Sequence, residues 1–249
     1  MDNGPKIAIG VTAVLILAVA GRVAWQYKLN HEEAPTRPQP AASRTLNEDD
    51  MVFLKKQRPD SLKDERALIG TTIWVSAANQ MDYYVDTGKH VDYSKPVGVL
   101  KGAEPLVIKD VFEEKAPSSG RAVTRIAAGE RHVLLGFVLP NSSNPTQLYA
   151  VPVGNYDQTG YNFFTDEIFF YDDPHQLYKH WGTAMWQHVD KHEPAMGMSE
   201  NQAMMALGQV ITPHGDKMGD RSVTYDNDGH PVTINFENNK AVKITPENQ

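Results

Sequence analysis

Four histidines stand close together in the last third of the chain, His175, His180, His188 and His192, with Asp172, Asp173 and Asp190 among them. His188 and His192 are four apart on a helical pattern, a spacing that lets two imidazoles share one metal ion. The competing explanation is structural: His192 falls in the last turn before Pro194, where a cation suits the helix dipole, and His188 lies on the core-facing stripe. The spacing names no third ligand, and His-x-x-x-His lacks the internal glutamate of a metalloprotease. No nucleophile elbow, phosphate loop, dinucleotide fingerprint or calcium loop is present, and Asp226-Asn227-Asp228-Gly229 reads as a turn. Carboxylate pairs such as Glu113-Glu114 and Asp49-Asp50 sit in charged or capping contexts. The expectation is therefore of no catalytic, metal-binding or cofactor-binding residue, and the enzymatic alternative is a metal-dependent site drawn from the His175–His192 cluster.

Aromatic residues offer the other kind of chemistry, partner anchoring. Trp181 belongs to the apolar stripe with Leu177, Ala184, Met185, His188 and Val189. Tyr178 and Trp186 fall beside that stripe and are the candidate partner surface. Tyr161-Asn162-Phe163-Phe164 and Ile168-Phe169-Phe170-Tyr171 either line a ligand groove or alternate between the two faces of a sheet.

These residues must be placed by a C-terminal unit whose boundaries are well marked. Asp172-Asp173-Pro174 starts a helix that ends before Pro194, and Ser199 with Gln202 forms a capping box for a second, which Gly208 closes. Three strands follow over Ser222 to Tyr225, Val232 to Phe236 and Ala241 to Ile244. That helix-helix-three-strand order, with Gly197-Met198-Ser199-x-x-Gln202, Leu207-Gly208 and Val232-x-Ile234-x-Phe236-x-Asn238-x-Lys240-x-Val242, resembles the BamE-like (SmpA/OmlA) family of small bacterial envelope proteins over residues 172–245. The resemblance implies a non-enzymatic module acting through protein contacts. Family members are usually lipid-anchored through an N-terminal cysteine, and this chain has no cysteine.

Upstream, strands are expected at Thr72 to Ser76, Leu106 to Phe112, Ala122 to Ala127, His132 to Leu139 and Gln147 to Val153, with a further hairpin from Tyr161 to Tyr171. Loop signals such as Pro117-Ser118-Ser119-Gly120 separate them, and the rhythm resembles a Src-homology-3-like barrel. Before it, Asn47 caps a short helix over Glu48 to Gln57, which Arg58-Pro59 breaks before a second turn from Ser61.

The N-terminus reads differently. Ile7 to Gly21 is uncharged, and Ile7, Val11, Leu15 and Leu17 with the interfacial Arg22, Trp25 and Tyr27 form a candidate membrane anchor of about 31 Å if one helix continues through them. A cleaved signal peptide, ending at Ala18-Val19-Ala20, is the competing explanation. The basic residues after the run favour a cytoplasmic domain, and the signal-like organisation favours export; export is the adopted expectation. His31 to Ser43, with Pro35, Pro38 and Pro40, is a spacer.

The whole chain of 249 residues is 41% hydrophobic and 22% charged, which suits a folded protein, and its net charge of −7 argues against a phosphate-tracking surface. The expected fold class is α+β: an N-terminal transmembrane helix (1–28), a Pro-rich linker (29–45), a small antiparallel β-barrel-like domain with a helical lead-in (46–171) and a helix-helix-three-strand BamE-like domain (172–249). The expected function is that of a single-pass, periplasmic envelope module that binds another protein, with no nucleic acid as partner. Binding of cell-wall material or a small molecule by the β domain is a further alternative.

Overall fold

The computed structural model describes residues 22, 25, 26, 47–78, 81–118 and 129–247. Residues 48–249 belong to one compact unit. It is built mainly of sheet. β1 (Thr72–Val75), β2 (Asp82–Val85), β3 (Gly98–Val99), β4 (Pro105–Lys115), β5 (Arg131–Val138), β6 (Tyr149–Tyr156) and β8 (Phe169–Phe170) pair in the order β3-β2-β6-β5-β4-β1-β8, and β7 (Tyr161–Phe163) adds to β6. Every pairing is antiparallel.

Register shifts between Ile108 and Asp110 on β4 and between Val133 and Leu134 on β5 mark bulges. Bulges bend the strand and raise its twist, and this long sheet curls into an open half-barrel with β3 and β8 as its edges. Alternation along β5 gives each face its own core. Val133, Leu135 and Phe137 join Ile73, Leu106 and Val151 on one side, and Leu134 meets Tyr84, Tyr93 and Phe112 on the other.

The rest of the unit packs α4 (Gly182–Asp190) and α5 (Glu200–Leu207) on a second sheet of β9 (Val210–His214), β10 (Ser222–Tyr225), β11 (Val232–Glu237) and β12 (Lys240–Pro246), ordered β12-β11-β10-β9. The capping box of Ser199 and Gln202 opens α5, and Gly208 follows its last turn at φ 102°. The first residue of α5, the buried Glu200, forms an ion pair with the half-buried Arg221. Arg221 Nε is 3.0 Å from Glu200 Oε1, Arg221 Nη2 is 2.5 Å from the same oxygen, and the Gly219 amide donates to Oε2 at 2.7 Å. The core of this half takes in Trp74, Ala103 and Phe170 from the half-barrel side. Gly102 makes that approach feasible, because a Cβ there would lie 1.9 Å from the Met205 carbonyl oxygen.

The expected fold class is corrected in several respects. Among the described residues no helix is long and apolar enough to cross a membrane. The longest helix whose ends both lie among the described residues, α4, has nine residues, a rise of about 14 Å against a hydrocarbon core of roughly 30 Å. This overturns the transmembrane, single-pass membrane expectation. Of the anchor residues, Arg22 and Trp25 are helical and exposed, while Ile7, Val11, Leu15, Leu17 and Tyr27 lie outside the described residues.

The C-terminal sheet has four strands rather than three, because Val210–His214 forms an edge despite Pro213; an edge position tolerates a missing amide donor. The lead-in helix is only a 3-10 turn, Asp49–Met51, followed by chain without regular structure to Asp60; the side chain of Asp49 is bound elsewhere, as described below. The helix expected from Ser61 forms as α1 (Leu62–Arg66), with Ser61 and Asp64 as a capping box. The 161–171 hairpin does not form, since β7 pairs β6, β8 pairs β1, and α2 (Thr165–Ile168) lies between them. The strand expected at Ala122 to Ala127 lies outside the described residues.

Candidate functional site

Two sheet edges, β8 of the half-barrel and β9 of the C-terminal sheet, both contribute to a cleft of about 570 Å³. Phe169 and Phe170 come from β8, Val210 from β9, Met204 from α5, and Tyr178 and Trp181 from the segment before α4. Leu54 and Lys56, from the strap Val52–Asp60, complete the wall. Apolar side chains stand exposed along these same segments: Phe53 at 92%, Ile211 at 54% and Met204 at 36%. Apolar groups left in water beside an apolar hollow mark a surface that gains free energy when covered.

The aromatic wall depends on a broken helix. Asp173 caps α3 (Pro174–Leu177), accepting a hydrogen bond from the His175 amide at 2.9 Å. A 3-10 turn over Lys179–Trp181 follows, and Gly182 at φ 77° turns the chain into α4. This left-handed conformation favours glycine. The break stacks Tyr178 on Trp181 (centroids 4.6 Å), Trp181 on Trp186 (5.0 Å) and Trp186 on His175 (4.0 Å).

Trp186 is 6% exposed and donates from Nε1 to the Tyr178 carbonyl at 3.1 Å. It therefore props the stack from within. Of the two expected partner-surface residues, Tyr178 lines the cleft and Trp186 is buried behind it. Trp181, placed on the core stripe by an unbroken helical period, faces the cleft. The signal for this exchange was Gly182, the one strong helix breaker within the pattern.

Asp49 clips the front of the site. Its carboxylate accepts from Trp181 Nε1 at 2.7 Å and from Asn201 Nδ2 at 3.1 Å, and His180 Nε2 lies 2.5 Å from Oδ1. Burial, aided by the nearby Asp49 charge, raises the Tyr178 hydroxyl above its ordinary range and keeps it neutral at physiological pH. Asp166 secures the strap, accepting from the Gln57 and Arg58 amides at 2.9 and 2.8 Å and from the Tyr171 hydroxyl at 2.7 Å. Burial alone would raise this carboxyl, but these hydrogen bonds and the Lys56 charge outweigh it and hold it below the usual range.

The four histidines do not converge. His175 and His192 line a separate polar cleft of about 430 Å³ with Glu104, Asp173 and Asp190. His180 is held by Asp49, and His188 is 4.0 Å from Glu193. His175 lies between two carboxylates, 3.0 Å from Asp173 Oδ1 and 3.0 Å from Asp190 Oδ1. Burial holds the His192 imidazole below its ordinary value, with Lys101 adding to the effect, and burial raises the Glu104 carboxyl. Among the described residues no group of three or more histidines and carboxylates is arranged to hold a metal ion.

Tyr161 and Phe163 of the first aromatic run are packing residues. Tyr161 stacks on Phe163 at 5.6 Å, and both lie against the half-barrel core. Comparison of the chain with protein-family models, with curated proteins and with solved structures gives no match.

Proposed function

We propose that this protein is a non-enzymatic binding module whose ligand is an extended apolar segment of another protein, seated in the cleft between β8 and β9. The observation that carries the reading is the meeting of two sheet edges at one apolar hollow. An edge strand offers unpaired backbone groups to an incoming strand, while the Trp181, Met204 and Phe170 side chains offer pockets for its alternate residues. The resemblance of residues 172–245 to the BamE-like family supports an extracytoplasmic envelope setting. The net charge of −7 speaks against nucleic acid as the partner.

Site-specific photo-crosslinking in the native host tests this. A crosslinker at Met204 or Ile211 should capture a discrete protein adduct. The same group at Val242, an exposed apolar position on β12 at the far edge of the sheet, should not. Met204→Lys should weaken capture from Ile211 at least tenfold. Equal capture from all three positions, or none from the cleft, would overturn the assignment.

A further inference from the structure

Glu65 is the one carboxylic acid of the described unit that is wholly enclosed without full hydrogen bonding. It is 1% exposed, its Oε1 accepts from the Thr165 hydroxyl, and its Oε2 has no partner. An ionised carboxylate is an acceptor at both oxygens, so such a setting fits the neutral acid. Thr165 is the chain neighbour of Asp166, whose carboxylate holds the strap through the Gln57 and Arg58 amides. Lys56 adds a hydrogen bond to the Asp166 carbonyl. The strap runs directly into Ser61, the cap of the helix that carries Glu65. Arg58 within it sits at φ 49°, a left-handed conformation that a non-glycine residue keeps only when held.

We propose that Glu65 is a pH-sensitive latch: as the neutral acid it keeps α1 seated on α2 and the strap closed along the cleft, and loss of its proton loosens both. The charged groups acting on Glu65 have one sign. Asp166 from α2 and Asp64 from its own helix both disfavour ionisation. Tyr171, hydrogen-bonded to Asp166, is the other titratable neighbour. On β4, against which α1 also packs, Asp110 interacts with Arg66 and Lys89. Burial and the two aspartates, opposed only by the Thr165 hydroxyl, push the Glu65 carboxyl up to about 7. The second negative charge therefore arrives beside Asp166 in the physiological range. Glu65 and Asp166 then repel across the joint that both α1 and the strap depend on.

The consequence for ligand access rests on the binding reading of the cleft; the latch is testable without any ligand. Solvent exchange of the Gln57 and Arg58 amides, measured by NMR on the full chain, gives their protection relative to an unstructured chain at each pH. Protection should fall at least tenfold between pH 4.5 and pH 7 in the wild type, level off above that, and change less than twofold in Glu65→Gln. Constant wild-type protection, or an equal fall in Glu65→Gln, would overturn the latch. Should Glu65→Gln not fold, the side-chain carboxyl of Glu65 is titrated by carbon-13 NMR in the wild type. Inflection near neutrality supports the latch, and inflection in the ordinary carboxylate range refutes it. Neither measurement involves a partner, so failure of the latch and failure of the binding reading are separable.

Discussion

Substituting Gly102 by alanine should push apart the two halves of the folded unit where Gly102 lies against α5. The added Cβ would lie 1.9 Å from the Met205 carbonyl oxygen, 2.9 Å from its carbon and 3.2 Å from the Ala78 amide nitrogen. An ordinary carbon–oxygen approach is about 3.3 Å, so roughly 1.4 Å of separation must be found. The obstacle is backbone, and no side-chain rotation relieves it. Met205, Ala206 and Leu207 on α5 are all core residues, so moving that turn disturbs packing around them. Overpacking of this kind costs about 1–3 kcal/mol and occasionally more, against which alanine recovers roughly 0.4–1 kcal/mol by restricting the unfolded chain. The net loss should be about 1–2 kcal/mol, or a fall in Tm of about 2–8 °C for a unit of this size. Urea denaturation followed by tryptophan fluorescence is the assay. Gly98→Ala is the control, because its Cβ would meet only the Tyr83 ring, at 3.4 Å, and should shift stability by less than about 0.5 kcal/mol. If Gly102→Ala matches the wild type while Gly98→Ala does not exceed it, the close approach of the two halves is refuted. The cleft walls contributed by α5 would then lose their support as well.

Three further outcomes are expected. Arg221→Ala strands the Glu200 carboxylate with only the Gly219 amide, and should cost about 3–5 kcal/mol by urea denaturation, more than Arg221→Lys, which keeps the charge but not the fork. The Glu65 carboxyl stands near 7 in the fold against 4.5 when free, so its contribution is intact below pH 4.5, is lost as pH rises from 4.5 to 7, and stays lost above. The wild type should lose roughly 3 kcal/mol more than Glu65→Gln over that window, and parallel stability curves would refute the assignment. Asp49→Ala leaves the Trp181 indole and Asn201 amide without their acceptor, which should cost about 1–3 kcal/mol and change tryptophan emission; an unchanged spectrum would show that the clip does not hold Trp181.

The elements read well where a local rule governs them. Ser199 with Gln202, Gly208, Asp173-Pro174 and the strands that form over Thr72–Val75, Pro105–Lys115, Arg131–Val138 and Tyr149–Tyr156 each carry their instruction within a few residues. Elements decided by distant partners escaped. Glu48 to Gln57 has the composition of a helix, but Asp49 binds Trp181 and Asp166 binds the Gln57 and Arg58 amides, and both partners lie more than a hundred residues away. Tertiary hydrogen bonds of this kind outweigh a helical preference of a few tenths of a kcal/mol per residue.

The same distinction explains the site. Tyr178 was legible as an aromatic outside the core stripe, whereas Trp181 and Trp186 exchanged places because the helix is interrupted between them. A phase carried through Gly182 misplaces Trp181 and Trp186 although Val189 stays on its expected buried face, so a breaker in an aromatic helix requires two separate periods. Glu65 also left a trace. Leu62, Glu65 and Leu68 recur at a spacing of three on one face, and both leucines pack in the half-barrel core, which draws the carboxyl between them inward. A charged residue flanked in this way by core positions is where a sequence can disclose a buried acid. Its position beside Asp166 depends on the fold, and so the latch could be inferred only once α1 and α2 were seen together.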